Sequence, residues 1–263
     1  MRITALTENT TENSNLDTEH GLSLYIETEN HRILFDMGQT DLFADNAKKL
    51  GVDISAVDIA VLSHGHYDHG GGISKFLQIN KKAPVYISKY AFEPHYSGKE
   101  KYIGLDISLC NNERLSTVDD YLQIDDNLEI FSCNQNNRKY TTNSFGLNMI
   151  VNGIMVDDDF RHEQYLLITE NEKRVLISGC SHKGILNIMQ WFKPDVLVGG
   201  FHFMKLDPTG KDSSPLENSA NLLKSFDTTY YTCHCTGIEQ YNYIKNYMGN
   251  QLNYLSCGQE III

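Results

Sequence analysis

The sequence has little positive charge and no long apolar run. Lysine and arginine number 22 against 34 aspartates and glutamates, which leaves a formal net charge of −12. Because affinity for phosphate comes mainly from cationic contacts, this acidic chain without a Lys/Arg cluster is not expected to bind nucleic acid. The longest apolar stretches, such as 59–62 and 196–198, are far too short to span a bilayer, so no membrane segment is expected.

Proline and cysteine are also scarce. The 5 prolines do not gather with serine or glycine, so no flexible linker is predicted, and 1–263 is expected to form one domain. The opening residues 1–4 do not resemble a secretory leader, and we therefore expect a cytoplasmic protein. The 6 cysteines are accordingly expected to be reduced. Cys233-His234-Cys235 lacks the second pair of ligands that a structural zinc site would need.

The apolar residues that are present, 41% of the chain, alternate between buried strands and amphipathic helices. In the first half, the pattern predicts strands at 32–38, 58–63 and 84–88, and helices at 41–50 and 75–79. The second half repeats this order, with strands at 174–179, 195–200 and 229–232, and helices at 184–192, 215–226 and 237–248. The repeat predicts an α/β domain of two similar halves. Residues 89–145 break the alternation and are predicted to be an insertion near the mouth of the active site.

The strongest chemical signal is the pattern H-x-H-x-D-H at residues 64–69, directly after a predicted strand. Three imidazoles and a carboxylate are costly to crowd together unless a cation compensates, and these groups are good ligands for zinc or iron. One short loop cannot easily bring all four to one ion. Residues two apart face the same way in extended backbone, so His64 and His66 are predicted to share one ion and Asp68 and His69 a second. The alternative is a solvated polar loop.

More histidines lie just past predicted strands, at His182, His202 and His234. Ligand sites in α/β sheets collect at the carboxyl ends of strands, so these histidines are expected to complete the two sites. Two ions would hold a bridging water and lower its pKa enough to give hydroxide at neutral pH. The predicted cofactor is a pair of divalent ions, zinc first, with iron or manganese as alternatives.

The motif, its place after a buried strand and the repeated order resemble the metallo-β-lactamase-fold metallohydrolases over essentially the whole chain. Finer matches, at 19–23, 34–38, 178–182, 199–202 and 234–237, resemble the dihydropterin–ribofuranosylaminobenzene phosphate synthase-like subgroup. The resemblance implies a four-layer αβ/βα sandwich. It also implies a metal-dependent hydrolase or phosphate-transfer-type enzyme that uses a metal-bound hydroxide on a small phosphorylated or pterin-like molecule.

The resemblance further implies which residues bind each ion. His64 and His66 match the pair at the first ion, whereas the second ion is matched by Asp68, His69 and His234. The third ligand of the first ion is either His182 or His162. We favour His182 because it directly follows a strand end, whereas His162 lies in the acidic stretch 157–163, where a solvated histidine is a sufficient explanation.

Two further residues are expected at the centre itself. Cys180 stands where the superfamily usually has an aspartate that bridges both ions, so it is expected to bridge or to lie beside them; the alternative is a small buried cysteine that only packs. Asp36 is expected either to orient a metal-bound histidine by a hydrogen bond or to cap a turn.

Asp68 and His202 are the catalytic candidates. His202 is expected to donate a proton to the leaving group or to contact a phosphate, unless it only packs at a strand end. His20 is expected to line the mouth and contact substrate, with a surface loop as the alternative, and His31 and His95 are expected to be ordinary. Two other functions stay open, an iron-dependent redox enzyme on the same fold and a non-catalytic ligand-binding sensor.

Overall fold

The computed structural model describes residues 1–263, and two mixed β-sheets face each other at its centre. The first sheet has seven strands, in the spatial order β18 (Glu260–Ile262), β1 (Arg2–Thr7), β2 (Ser23–Glu27), β3 (Arg32–Phe35), β4 (Ile59–Val61), β5 (Val85–Ser88) and β8 (Leu115–Val118). The second sheet also has seven strands, in the order β17 (Leu252–Tyr254), β16 (Thr229–Thr232), β15 (Val196–Val198), β14 (Lys173–Ile177), β13 (Tyr165–Glu170), β10 (Leu128–Phe131) and β9 (Tyr121–Gln123).

The two sheets have the same plan. In the first, β1, β2 and β3 are antiparallel, and β4, β5 and β8 continue parallel to β3. In the second, β9, β10, β13 and β14 are antiparallel, and β15, β16 and β17 continue parallel to β14. Three strands of each parallel part are those that the repeated sequence pattern predicts, so the two similar halves are confirmed; β8 and β17, the last strand of each part, were not predicted.

The central strands are apolar throughout because both of their faces are buried. Every residue of β4 and β15 is buried, as expected for parallel strands covered on both sides. In β15, Val196 and Val198 point into the core between the sheets, and Leu197 faces the helices on the outside. The side chains therefore alternate between two separate apolar layers of the core.

Helices cover the outer face of each sheet. On the first sheet lie α1 (Leu42–Leu50) and α3 (Ile73–Ile79), and on the second lie α4 (Ile185–Phe192), α5 (Ser213–Lys224) and α6 (Ile238–Met248). The remaining helical turns are α2 (Tyr67–Gly70) and four short 3-10 turns, Ile54–Ala56, Ile107–Leu109, His234–Thr236 and Gly249–Gln251. The resulting order of helix, sheet, sheet and helix confirms the predicted four-layer sandwich. None of these helices has the length and apolar character needed to cross a membrane.

A third, antiparallel sheet corrects the bounds of the predicted insertion. Its four strands are, in order, β12 (Ile154–Asp157), β11 (Leu147–Val151), β6 (His95–Ser97) and β7 (Lys101–Tyr102). The sheet thus extends beyond 145, whereas β8, β9 and β10 lie within 89–145 but belong to the two large sheets. The sequence pattern is weak here because these strands have two to five residues and several expose their apolar side chains, as Ile154 does.

The glycines at 70–72 bring the metal-binding motif against the loop that follows β3. A Cβ on Gly72 would lie 2.2 Å from the carbonyl oxygen of Met37, so only glycine allows this approach. The N–H of Met37 donates to the carbonyl of His69 at 2.7 Å. The loop that carries Asp36 is therefore held directly against the motif.

Gly72→Ala should destabilise the protein because its Cβ would overlap backbone, which cannot move aside as a side chain can. We expect the free energy of unfolding to fall by about 1–3 kcal/mol, the usual cost of overpacking. Gly210→Ala is the control, because its Cβ would meet only the flexible side chain of Asp207 at the surface. Urea unfolding followed by circular dichroism measures both variants; equal stability of the two would contradict this role of Gly72.

Candidate metal centre

The predicted ligands meet at the carboxyl ends of the central parallel strands. The H-x-H-x-D-H motif follows β4 and runs into α2, and single histidines follow β14, β15 and β16. The six predicted ligands are all at most 8% exposed: His64, His66, Asp68, His69, His182 and His234. They form two adjacent groups of three.

The first group is His64, His66 and His182. Each residue has one ring nitrogen at the site, and these three nitrogens lie within 4.8 Å of one another. The Nε2 atoms of His64 and His182 are 3.3 Å apart. Burial, together with neighbouring imidazoles, holds the pKa of each of the three well below 6.5. All three rings are therefore neutral at pH 7 and have a lone pair to offer to a cation.

The second group is Asp68, His69 and His234. The Nε2 atoms of His69 and His234 are 3.2 Å apart, and Asp68 Oδ2 lies 3.8 Å and 3.5 Å from them. Burial alone would raise the pKa of Asp68, but His69 and His234 outweigh it and hold that pKa well below its usual range. Burial opposes the charged form of His69, yet Asp36 and Asp68 raise its pKa to about 9.

The buried carboxylate of Asp36 orients histidines of both groups. Its Oδ2 accepts hydrogen bonds from His69 Nδ1 at 2.6 Å and from the Ser63 hydroxyl at 2.7 Å. The hydroxyl has only one proton, which it donates to Asp36. Its oxygen must therefore be the acceptor of the 2.8 Å hydrogen bond with Nδ1 of His64. His64 and His69 are thus both protonated on Nδ1. The Nε2 of neutral His64 has a lone pair for an ion, whereas the Nε2 of His69, whose pKa is raised to about 9, offers its lone pair when a cation replaces the proton there.

The arrangement fits a divalent cation. His234 Nδ1 donates to the Asn9 side-chain oxygen at 2.8 Å, so His234 also has its lone pair on Nε2. The Nε2 lone pairs of His69 and His234 then face each other at 3.2 Å and repel unless a proton or a cation lies between them. Five imidazoles and one carboxylate are a donor set that suits zinc, iron or manganese.

One hydrogen bond of His162 bears on the choice between the two candidates for the third ligand of the first group. The N–H of Gly65 donates to His162 Nδ1 at 2.8 Å, so the neutral ring has its proton on Nε2. That Nε2 lies 3.3 Å from Asp158 Oδ2, close enough for attraction but without a hydrogen bond. A protonated nitrogen has no lone pair for a metal. The geometry therefore supports His182 as the ligand.

The other predicted residues surround these two groups. Cys180 Sγ is buried 3.2 Å from His69 Nε2, and burial raises the pKa of this thiol. The His202 ring lies 4.3 Å from the ring of His182, and neither of its nitrogens has a hydrogen-bond partner. The side chain of His20 is half exposed at the mouth, with Nε2 3.4 Å from Asp68 Oδ2. The fold thus places all three predicted residues next to a ligand.

A cavity of about 570 Å³ opens beside His182 and His202. Its lining combines aromatic rings with charged groups: Tyr140, Phe145, Phe201, Phe203, Lys205, Asp207, Lys211 and Asp212. Pockets of this size hold small molecules, with apolar walls for contact area and a few polar groups for orientation.

Several residues that hold the ligands in place were missed from the sequence. The Glu8 carboxylate accepts the backbone N–H of His234 at 2.6 Å, and the Glu163 carboxylate accepts that of His182 at 2.6 Å. Glu8 directly follows β1, so its position after a buried strand was an available signal. His95, which was expected to be ordinary, is fully buried, and its Nδ1 lies 2.8 Å from Asp158.

Comparisons with known proteins agree with this geometry. A family model for the metallo-beta-lactamase superfamily matches residues 16–203. An uncharacterised protein of Methanocaldococcus jannaschii is 32% identical over 232 residues, which cover 84% of this chain and 85% of that protein. A second protein of that organism, a 7,8-dihydropterin-6-methyl-4-(beta-D-ribofuranosyl)-aminobenzene-5'-phosphate synthase, is 28% identical over 284 residues, which cover 95% of this chain and 92% of that protein.

Solved structures agree as well. A crystal structure of a metal-dependent hydrolase of the beta-lactamase superfamily is 30% identical to this chain, and the match covers 100% of this chain and 99% of that one with a TM-score of 0.84. The predicted resemblance, down to the dihydropterin-related subgroup, is thereby confirmed. On its fold, its family-model match and these relatives, the chain belongs to the metallo-β-lactamase superfamily.

Proposed function

We propose that this protein is a metal-dependent hydrolase or phosphate-transfer-type enzyme that acts on a small phosphorylated molecule with a flat ring, such as a pterin. The observation that carries the proposal is the pair of three-ligand groups beside an open cavity. When bound, divalent cations would supply an activated water and would stabilise negative charge that develops on the substrate. The similar solved structure, a metal-dependent hydrolase of the beta-lactamase superfamily, supports the same reaction class.

The chain's own residues divide the work around this centre. Asp36 holds His64 and His69 with Nε2 facing inward, and Asn9 does the same for His234. His202 lies between the first group and the cavity, with both ring nitrogens free to hold or donate a proton to a leaving group. Cys180 adds a sulfur donor, which favours zinc or iron over magnesium or manganese.

The cavity supports a substrate that has both a ring and an anionic group. Phe145 and Phe203 offer flat apolar faces, and Lys205 and Lys211 offer cationic groups for a phosphate. The name of the dihydropterin-related relative contains these same two parts, a pterin ring and a 5'-phosphate. A small-molecule substrate is accordingly the proposed partner.

Metal analysis separates hydrolysis from the redox alternative. Zinc in protein purified without added metal would support the hydrolase, whereas iron with visible absorbance would support redox chemistry. A panel of phosphomonoesters, phosphodiesters and lactones then tests the reaction class. Metal-loaded protein that turns over none of them would favour the ligand-binding sensor.

His66→Ala and Asp68→Ala should each lose one of two bound ions and nearly all turnover, because each residue belongs to a different group. Circular dichroism should show that both variants stay folded, and elemental analysis should give the ion count. His31→Ala is the matched control, since His31 also pairs with carboxylates, Asp58 and Asp125, but away from the centre. Full activity in both variants despite lost metal would contradict the two-ion proposal.

His182→Ala and His162→Ala should differ in their metal content at saturating zinc. His182→Ala should retain one ion, because it removes a nitrogen that faces His64 Nε2 at 3.3 Å. His162→Ala should retain both ions, because the ring that it removes accepts the Gly65 N–H on Nδ1 and has its proton on Nε2, near Asp158. The reverse pattern would make His162 the ligand.

Lys205→Met and Lys211→Met should raise KM for a phosphorylated substrate about tenfold each and leave kcat nearly unchanged, since both lysines contribute uniform binding away from the reacting atoms. Lys224→Met is the control, because Lys224 lies exposed in the last turn of α5, outside the cavity. Steady-state kinetics on the best substrate of the panel measures all three. An unchanged KM in both cavity variants would place phosphate recognition elsewhere.

A further inference from the structure

His66 also belongs to a second buried polar cluster, whose other members have no part in the proposed reaction. The cluster consists of His66, His95, Asp158 and His162. Each residue has one ring nitrogen or carboxylate oxygen in it, and all four of these atoms lie within 4.8 Å of one another. The small third sheet brings it together: His95 begins β6, and Asp158 directly follows β12. All four residues are at most 5% exposed.

The protons of this cluster can be assigned from its hydrogen bonds. His95 Nδ1 lies 2.8 Å from Asp158 Oδ2, and because an ionised carboxylate only accepts, Nδ1 has the proton. The protonated Nε2 of His162 faces the same oxygen at 3.3 Å, and the N–H of Phe160 donates to the other oxygen at 2.7 Å. Both oxygens of Asp158 thus accept a hydrogen bond, and His95 has its lone pair on Nε2.

Three buried nitrogens in the cluster lack a hydrogen-bond partner, Nε2 of His66, of His95 and of His162. The Nε2 of His162 is the protonated one and lies near Asp158, so Nε2 of His66 and Nε2 of His95 are the two that could pair with each other. If His66 binds the first ion through Nδ1, its buried Nε2 is the nitrogen that is left to face the cluster. A neutral imidazole that gives one nitrogen to a metal has its proton on the other. The Nε2–H of His66 is then a buried donor beside a buried acceptor, and leaving either unpaired costs about 1–3 kcal/mol.

We propose that His95 and Asp158 are positioning residues for the metal centre: Asp158 holds His95, and His95 Nε2 accepts the Nε2–H of His66, which fixes His66 with Nδ1 toward the first ion. The inference rests on the proposed metal site. The rings of His66 and His95 already meet edge to face, with centroids 5.5 Å apart. A carboxylate that acts through such a hydrogen bond raises the basicity of a ligating histidine and holds its ring in place.

A third cation in this cluster is the competing explanation. It would need a lone pair on His162 Nε2, which the Gly65 hydrogen bond makes the protonated nitrogen. His66 would also have to bind two ions at once, as an imidazolate. The proposed line from Asp158 through His95 to His66 pairs the proton of His66 with the lone pair of His95 and requires neither.

The test compares zinc affinity, by competition with a chromophoric chelator, in zinc-loaded protein and its variants. His95→Leu and Asp158→Asn should each weaken the first ion about 10- to 100-fold, the usual effect of losing such a partner. His95→Gln should restore most of that affinity, because its amide oxygen can accept from His66 while its NH₂ donates to Asp158. His31→Leu, at a remote His–carboxylate pair, should leave affinity unchanged.

Nitrogen-15 NMR of the histidines in zinc-loaded protein gives a readout that a merely structural role would not move. We expect protons on Nε2 of His66 and Nδ1 of His95. A proton on Nε2 of His95, or His95→Gln as weak as His95→Leu, would overturn the inference. Three ions in the wild type, with one lost in His95→Leu, would establish the third-cation site instead.

The same measurements separate failure of the inference from failure of the proposed function. Wild-type protein that binds no divalent ion would overturn the metal centre and the inference with it. Two tight ions in the wild type, bound as tightly in His95→Leu and in Asp158→Asn, would leave the metal centre in place and remove only the positioning role. Thermal melts of each variant show that any loss of affinity comes from a folded protein.

Discussion

The geometry of the candidate metal centre depends on one buried carboxylate. Asp36 directly follows β3, is fully buried and has a positive φ of 59°. Strand pairing fixes its position, because Phe35 lies opposite Val61 and the N–H of Asp36 donates to the Val61 carbonyl at 2.9 Å. The carboxylate is thereby brought to Ser63, just past the end of β4. This one carboxylate determines which ring nitrogen is protonated in a histidine of each ligand group. It acts directly on His69 and through the Ser63 hydroxyl on His64.

The second half of the molecule repeats this backbone geometry with different side chains. The N–H of Ser178 donates to the Val198 carbonyl at 2.9 Å, as that of Asp36 does to Val61. Gly179 follows Ser178, in place of a residue with a side chain, and a Cβ on Gly179 would lie 2.2 Å from the Ser63 hydroxyl oxygen. The first half therefore supplies the polar support and most of the ligands, whereas the second half supplies the space in which they fit. The two halves share a fold but divide the construction of the site between them.

The parts that the sequence predicts are those with a local pattern. Strands such as β15 are continuous apolar runs, and the ligands of residues 64–69 lie within one loop and one helical turn. The supporting residues have no such pattern, because their partners are remote: Asn9 and His234 are 225 residues apart. His95 lies on a three-residue strand of the third sheet, too short for any periodicity. The choice between His182 and His162 depends on a single backbone N–H, that of Gly65, which only the folded chain places.

Charge links the centre to the kind of substrate that it can accept. The chain has a formal net charge of −12, and three aspartates, Asp36, Asp68 and Asp158, are buried at or beside the ligands. Each of them hydrogen bonds or lies close to imidazoles, so divalent cations would be offset locally by these carboxylates and held in place by neutral nitrogens. The excess positive charge of a loaded centre would then be confined to the cavity, while the rest of an acidic surface repels anions. An extended polyanion would contact that surface over much of its length, but a small phosphorylated molecule could reach the cations without doing so, and the electrostatics therefore favour the small substrate.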